Sequence, residues 1–352
     1  MSKVFSKKRL ETIQNSNVKR YLIYAVGEIL IVVLGIFIAI YFNNLKETRT
    51  NRKYIAEVLN DVKAESENYI KLSTYYIYYN SLRDTLAQKI LRNNIQKIDE
   101  YQLFKIKNLD VLSETNFLAQ LNFSETPLEN LNKRLDYLDK AEKVIYNDLS
   151  LIKRFKKGYG ANAEKGKNIL IEYKKFQKEN LDWFSNIEDD SIAIKKEFNY
   201  RQQSYQYKNF IKDYRDVVIL EQTKNINFFQ SASIRVLLRT INTQQEEKVK
   251  GPQIDSILKN LNLSKLNKIK CDTIFSKPTE LFSRILLHQF IYNASKDTVS
   301  MKKGKNQLKI GDFPPNSYSL EICPLGTEIH VYKKNECQAK YKTQMNSYII
   351  YD

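Results

Sequence analysis

The sequence has little of what catalytic and metal centres are usually built from. Only two histidines occur in 352 residues, His288 and His330, and they form no H-E-x-x-H pattern. Three cysteines, Cys271, Cys323 and Cys337, all lie near the C-terminal end. None belongs to a C-x-x-C pair, so neither a redox dithiol nor a zinc ribbon is signalled. His330 stands seven residues from both Cys323 and Cys337, but that spacing fits no zinc pattern. G-x-S-x-G and glycine-rich dinucleotide fingerprints are missing as well. Residues 158–168 look like a phosphate loop at first sight. Gly160 and Gly166 are separated by five residues, however, and Asn168 follows Lys167 where Ser or Thr is required. The segment is therefore read as a connection between two antiparallel helices. No catalytic residue, cofactor or metal ligand is assigned.

Proline and glycine are missing from residues 43–98 and again from 192–248. Within the first stretch, Ile55, Leu59, Val62, Tyr69, Tyr76, Leu82, Leu86 and Ile90 recur at helical steps. Phe210, Tyr214, Val217, Val218, Phe228, Phe229, Val236, Leu237 and Ile241 do the same in the second. Two long helices are expected. Between them, residues 99–125 read as a shorter, broken helical region. Thr126-Pro127-Leu128-Glu129 reads as a capping box opening a helix that continues through Leu149 and Ile152. A further helix is expected over 168–188, followed by an N-cap among Asp189, Asp190 and Ser191.

What the chain does have is one long apolar run. Residues 21–42, YLIYAVGEILIVVLGIFIAIYF, contain a single ionisable side chain, Glu28. A membrane-spanning helix needs about 20 predominantly apolar residues, and no other segment approaches that. Six Lys or Arg precede the run in residues 1–20, and four follow it in 43–62. By the positive-inside rule the N-terminus is cytoplasmic and the bulk of the chain lies outside the cytoplasm. No small-x-small cleavage site follows the run, so it is read as a retained anchor. The excess of 57 Lys and Arg over 40 Asp and Glu is spread along the chain, which argues against a nucleic-acid partner.

Gly251-Pro252 ends the helical regime. Short helices are expected near residues 254–261 and 278–292, which places His288 on a helix. Alternation around 308–310, 318–322, 328–332 and 348–351 reads as strands, with Cys323-Pro324-Leu325-Gly326 as a turn between two paired strands. In an oxidising compartment, Cys323 and Cys337 suggest a disulfide that leaves Cys271 as a buried thiol. Two free, buried thiols are the competing reading. The expected architecture is mainly α: a basic cytoplasmic tail (1–20), a transmembrane helix (21–42), an elongated antiparallel helical bundle or coiled-coil ectodomain (43–250) and a small α+β module (252–352).

The order Tyr21-Leu22-Ile23-Tyr24-Ala25-Val26-Gly27-Glu28-Ile29, then Val32-Val33-Leu34-Gly35-Ile36, Ile38-Ala39 and Asn43-Asn44 resembles a family of uncharacterised bacterial single-pass membrane proteins. In that family a G-E-I element, a G-I-x-I-A stretch and an N-N-W-x-E exit follow one another at this spacing. Leu45 stands where the family has Trp, and Glu47 keeps the acid. The resemblance covers about residues 19–60 and implies a bacterial inner-membrane location and a topology. It implies no activity.

Glu28, Val32, Gly35 and Ala39 share one helical face, and Gly35 with Ala39 forms a small-x-x-x-small pair. An ionised carboxyl inside a bilayer costs at least a few kcal/mol and usually faces protein or water. This face is expected to meet a second transmembrane helix, in a homo-oligomer or a partner membrane protein, unless Glu28 snorkels to the surface alone. The function expected is non-enzymatic: an envelope scaffold, interaction or sensor component. Two other classes compete. One is a subunit of an ion-coupled, stator-like complex that uses Glu28; the other is an enzyme whose site in the C-terminal module gathers His288, His330 and acids.

Overall fold

The computed structural model describes residues 16–92, 125–157, 160–182, 186, 190–245, 249–273, 286–304 and 306–352. It is mainly helical, with a long apolar N-terminal helix and a C-terminal β-sheet region. Helix α1 (Ser16–Leu91) carries Lys89 in its last turn, where a cation complements the helix dipole. From Leu22 to Phe42 its large apolar side chains are exposed; Ile31 is 72% exposed and Phe42 64%. Among the described residues it is the one helix long and apolar enough to cross a membrane.

Two compact units divide the chain. The first comprises Met1–Glu57 with Arg134–Tyr137. In it the 3-10 turn Leu135–Tyr137 is fastened to α1. The Tyr137 hydroxyl donates to Glu47 Oε1 at 2.5 Å, Arg52 Nη1 donates to the Tyr137 carbonyl at 3.2 Å, and the Arg134 guanidinium lies 3.6 Å from the Tyr54 ring centroid.

The second unit comprises Val58–Lys133 and Leu138–Asp352. Helix α2 (Thr126–Asn132) is short, and its N-cap is Glu125, without a side-chain cap bond. The Thr126 capping box is therefore not formed. The reciprocal box sits one helix later, at α3 (Lys140–Lys157). Glu142 N donates to Asp139 Oδ1 at 2.9 Å, and Asp139 N donates to Glu142 Oε2 at 2.8 Å. Helix α4 (Gly160–Asn180) already begins at Gly160, so most of the supposed connection over 158–168 is helical. The expected 168–188 helix thus starts earlier and stops at Asn180. Of the broken helical region expected over 99–125, residues 99–124 lie outside the described residues, as does Asp189.

The second long helix is not continuous. Helix α5 (Asp190–Gln203) stops at Ser204, whose extended backbone and side chain cap α6 (Tyr205–Tyr214) by accepting from Tyr207 N at 3.2 Å. Serine favours such a local bond over a helix interior. A π-helical segment, Arg215–Leu220, then joins α6 to α7 (Glu221–Gln245). Helix α8 (Gly251–Asn260) follows, with Pro at its first turn.

Eight strands complete the fold: β1 (Ser264–Lys265), β2 (Leu286–Asn293), β3 (Val299–Lys303), β4 (Leu308–Phe313), β5 (Ser317–Pro324), β6 (Glu328–Lys333), β7 (Glu336–Lys342) and β8 (Ser347–Tyr351). Sheet 1 has the order β1-β8-β2-β5 and sheet 2 the order β4-β3-β6-β7. The expected helix over 278–292 is therefore corrected over its described part. His288 lies in β2, opposite Ile322 of β5, in a run rich in the aromatic and branched residues that suit strands. The turn after Pro324 does not join paired strands either, because β5 pairs with β2 and β6 pairs with β3 and β7.

Alternation assigns the core. Ile291, Ile349 and Cys323 of sheet 1 meet Met301, Val331, Ala339 and Tyr341 of sheet 2 in one buried cluster. Phe290, Tyr292, Tyr348 and Ile350 face the opposite way and pack with Leu237, Ile241, Ile254 and Leu258 of α7 and α8, together with Ile70 of α1. A third cluster joins Ala87 and Ile90 of α1 to Tyr173, Phe176, Tyr207, Ile211 and Tyr214. Each fully buried aliphatic or aromatic side chain in these clusters contributes about 1.5–3 kcal/mol by leaving water.

Candidate functional site

Four places gather polar or reactive groups, and the sequence pointed to three of them. The first is the α1 face of Glu28, Val32, Gly35 and Ala39. All four are on the exposed part of the helix, and Val32 is 58% exposed. A Cβ built on Gly35 would meet nothing within 4 Å. This face is exposed among the described residues.

The second is the cysteine set. Cys271 and Cys337 form the disulfide, closing a separation of 66 residues, and Cys323 is free and buried. The Cys323–Cys337 pairing is corrected. Cys323 points into the core between the sheets, and burial pushes its thiol up to about 11. Cys337, in β7, is close to the chain that leaves β1, where Ile269 bridges to Lys340. Proximity along the sequence favoured the wrong partner because it carries no record of which sheet face a cysteine occupies.

Burial in unexpected places marks the third. Asn80, Arg83 and Asp84 lie at helical spacing on the inward face of α1, and Asn80 and Arg83 are 0% exposed. Asp84 Oδ1 accepts from Arg215 Nε at 2.5 Å, Asp84 Oδ2 accepts from Gln88 Nε2 at 2.5 Å, and Arg83 Nη2 donates to the Tyr214 hydroxyl at 3.3 Å. Arg83 also lies 5.4 Å from the Tyr214 ring centroid. Burial raises the Asp84 carboxyl above the ordinary range, against the pull of Arg215. The pair ties α1 to the first residue of the π segment. Sequence reasoning followed the apolar members of the α1 stripe and missed the polar ones in phase with them; a search for polar residues at i, i+3 and i+4 inside that stripe would have found them. A related knot holds Asp148 of α3 against Arg235, at 3.1 Å, and Arg239, which also donates to the Tyr318 hydroxyl of β5 at 3.1 Å.

The histidines are the fourth. His330, in β6, is 6% exposed and bonds Glu328 Oε2 through Nε2 at 3.2 Å, while His288 belongs to the other sheet. No family model, curated protein or solved structure matches this chain. Among the described residues no group of three His, Cys, Asp or Glu is placed to hold a metal ion.

Proposed function

We propose that this chain is a single-pass protein of a bacterial inner membrane. Its N-terminus is cytoplasmic and its folded part is periplasmic, and it acts non-enzymatically as an envelope scaffold, interaction or sensor component through its helical ectodomain. The observation that carries the reading is helix α1 itself. The element whose side chains are exposed and apolar from Leu22 to Phe42 becomes buried at Ile70, Ile77, Ala87 and Ile90, where it is a core helix of the folded unit. A helix that is apolar all round over about 20 residues belongs in hydrocarbon. The open face of Glu28, Gly35 and Ala39 is its contact with a second transmembrane helix, from another copy or from a partner membrane protein.

Orientation draws on two independent features. Basic residues before the span outnumber those after it, and a Cys271–Cys337 bridge belongs to an oxidising compartment. Thiol labelling of the full-length protein in isolated membranes tests this. Without reductant, unfolded protein is expected to take up one alkyl group, at Cys323, and after reduction three. Three groups without reductant would place the folded part in a reducing compartment and reverse the orientation. Purification in mild detergent tests the role: a stoichiometric membrane partner or a stable oligomer is expected. A monomer that brings nothing with it would remove the scaffold reading.

A further inference from the structure

Three lysines and one histidine line the face of sheet 2 that is turned away from sheet 1. Backbone register sets Lys309 opposite Lys302, Lys302 opposite His330 and His330 opposite Lys340, so one line crosses all four strands. The next residues along three of these strands, Met301, Val331 and Ala339, are fully buried between the sheets. Strand alternation therefore turns Lys302, His330 and Lys340 to the other face. Side chains directly opposite one another in antiparallel strands have Cβ atoms about 4.5–5.5 Å apart, and like charges there are destabilising.

Among the described residues, compensation is partial. Lys309 pairs with Asp312 at 2.8 Å, and Glu328 is bonded to His330 at 3.2 Å while standing opposite Lys342. Lys302 and Lys340 fare differently. The Lys302 ammonium lies 4.4 Å from the Tyr332 ring centroid, and Lys340 donates to the Thr273 carbonyl at 3.4 Å. Neither of these partners brings a full negative charge. Both lysines are only partly buried and flank a histidine that is almost wholly buried, with the Tyr332 ring parallel to the imidazole at 6.4 Å between centroids.

We propose that this face of sheet 2 binds a phosphate group, held between the Lys302 and Lys340 ammonium groups over His330, with Lys309 at the margin. Each ammonium offers three donors and a compact charge, and a protonated His330 adds a ring N–H. The source is either a free phosphate or the headgroup of an anionic lipid. The proposal does not depend on the membrane reading above. A linkage gives it a readout. Burial, with Lys340 and Lys302 adding to it and Glu328 opposing, holds the His330 pKa below its ordinary value. A bound anion favours the charged imidazole, so phosphate and proton bind cooperatively.

The test places the full chain in phosphatidylcholine nanodiscs and follows the two histidine rings by NMR through a pH titration at constant ionic strength. His288 serves as the internal reference. Inorganic phosphate is expected to raise the His330 midpoint by about half a unit, a roughly threefold tighter grip on the protonated form, and to leave His288 unmoved. K302Q/K340Q is expected to abolish the shift, and each single variant to reduce it, with unchanged thermal melts reporting an intact fold. Added phosphatidylglycerol vesicles form the second arm. A shift with vesicles alone assigns a lipid headgroup, one with phosphate alone assigns a free anion, and one with both assigns the shared chemistry. No shift in either arm, or an equal shift in K302Q/K340Q, overturns the proposal.

Discussion

Asp84 and Arg215 show what a single buried pair does for this protein. Their side chains are 5% and 6% exposed, so both have lost most of their hydration, and their attraction has to offset that cost. Removing one partner leaves the other charged and out of water. Asp84→Asn is therefore expected to cost about 3 kcal/mol, the lower end of the range for broken buried pairs, because Asp216 stays 3.3 Å from Arg215. The double variant D84L/R215M is expected to recover most of the loss, since an apolar pair of similar volume carries no such penalty. Denaturation midpoints in detergent check both; equal losses in the single and double variants would show that the pair itself is not what matters. Such residues are hard to read from a sequence. A charge in an apolar stripe looks like a solvated face until the partner is known, and Arg215 lies 131 positions from Asp84. The cysteines failed to be read for the same reason, since Cys271 and Cys337 are distant in sequence and adjacent only through the pairing of Ile269 with Lys340.

Among the elements, those made by local pattern were legible and those made by tertiary contact were not. The strands at β4, β5, β6 and β8 follow from alternation. Strand β7 did not announce itself, because the turn before it places Lys334 and Asn335 in the left-handed region, φ 48° and 68°. Such a turn usually displays glycine. The π segment Arg215–Leu220 was equally silent, since its residues suit an α-helix. Its packing explains part of it. Gly166 of α4 approaches the segment so closely that an added Cβ would lie 2.7 Å from Val218 Cγ2. Val218 is branched at Cβ and has little freedom to turn away. Gly166→Ala is therefore expected to destabilise by about 1–3 kcal/mol through overpacking, although alanine is the better helix former. If the clash is the cause, the G166A/V218A double variant is more stable than G166A alone. Thermal melts of the two variants beside the unsubstituted protein decide, and a stabilised G166A would show that α4 can shift at no cost.

At the scale of the whole molecule, what the fold leaves uncovered matters more than what it buries. Apolar clusters bury side chains throughout the second unit, yet the large apolar side chains from Leu22 to Phe42 are exposed. Lipid can cover Val32 or Leu34, but it cannot cover an ionised Glu28 without a cost of a few kcal/mol. A second helix against the Gly35–Ala39 side would bring backbones close and give the carboxyl a polar neighbour. Single cysteines placed at positions 25 to 40 and oxidised in native membranes test this, because Cys323 is buried and the other two cysteines are already paired. Crosslinking is expected to peak at 28, 32, 35 and 39 and to fall at 30, 34 and 37, on the far side of the helix. Gly35→Leu should flatten the peaks by holding the helices apart, while Glu28→Gln, which keeps a hydrogen-bonding group, should preserve them. Uniform crosslinking across all sixteen positions would mean that lipid alone surrounds the span, and the contact would then have to be sought on the folded unit.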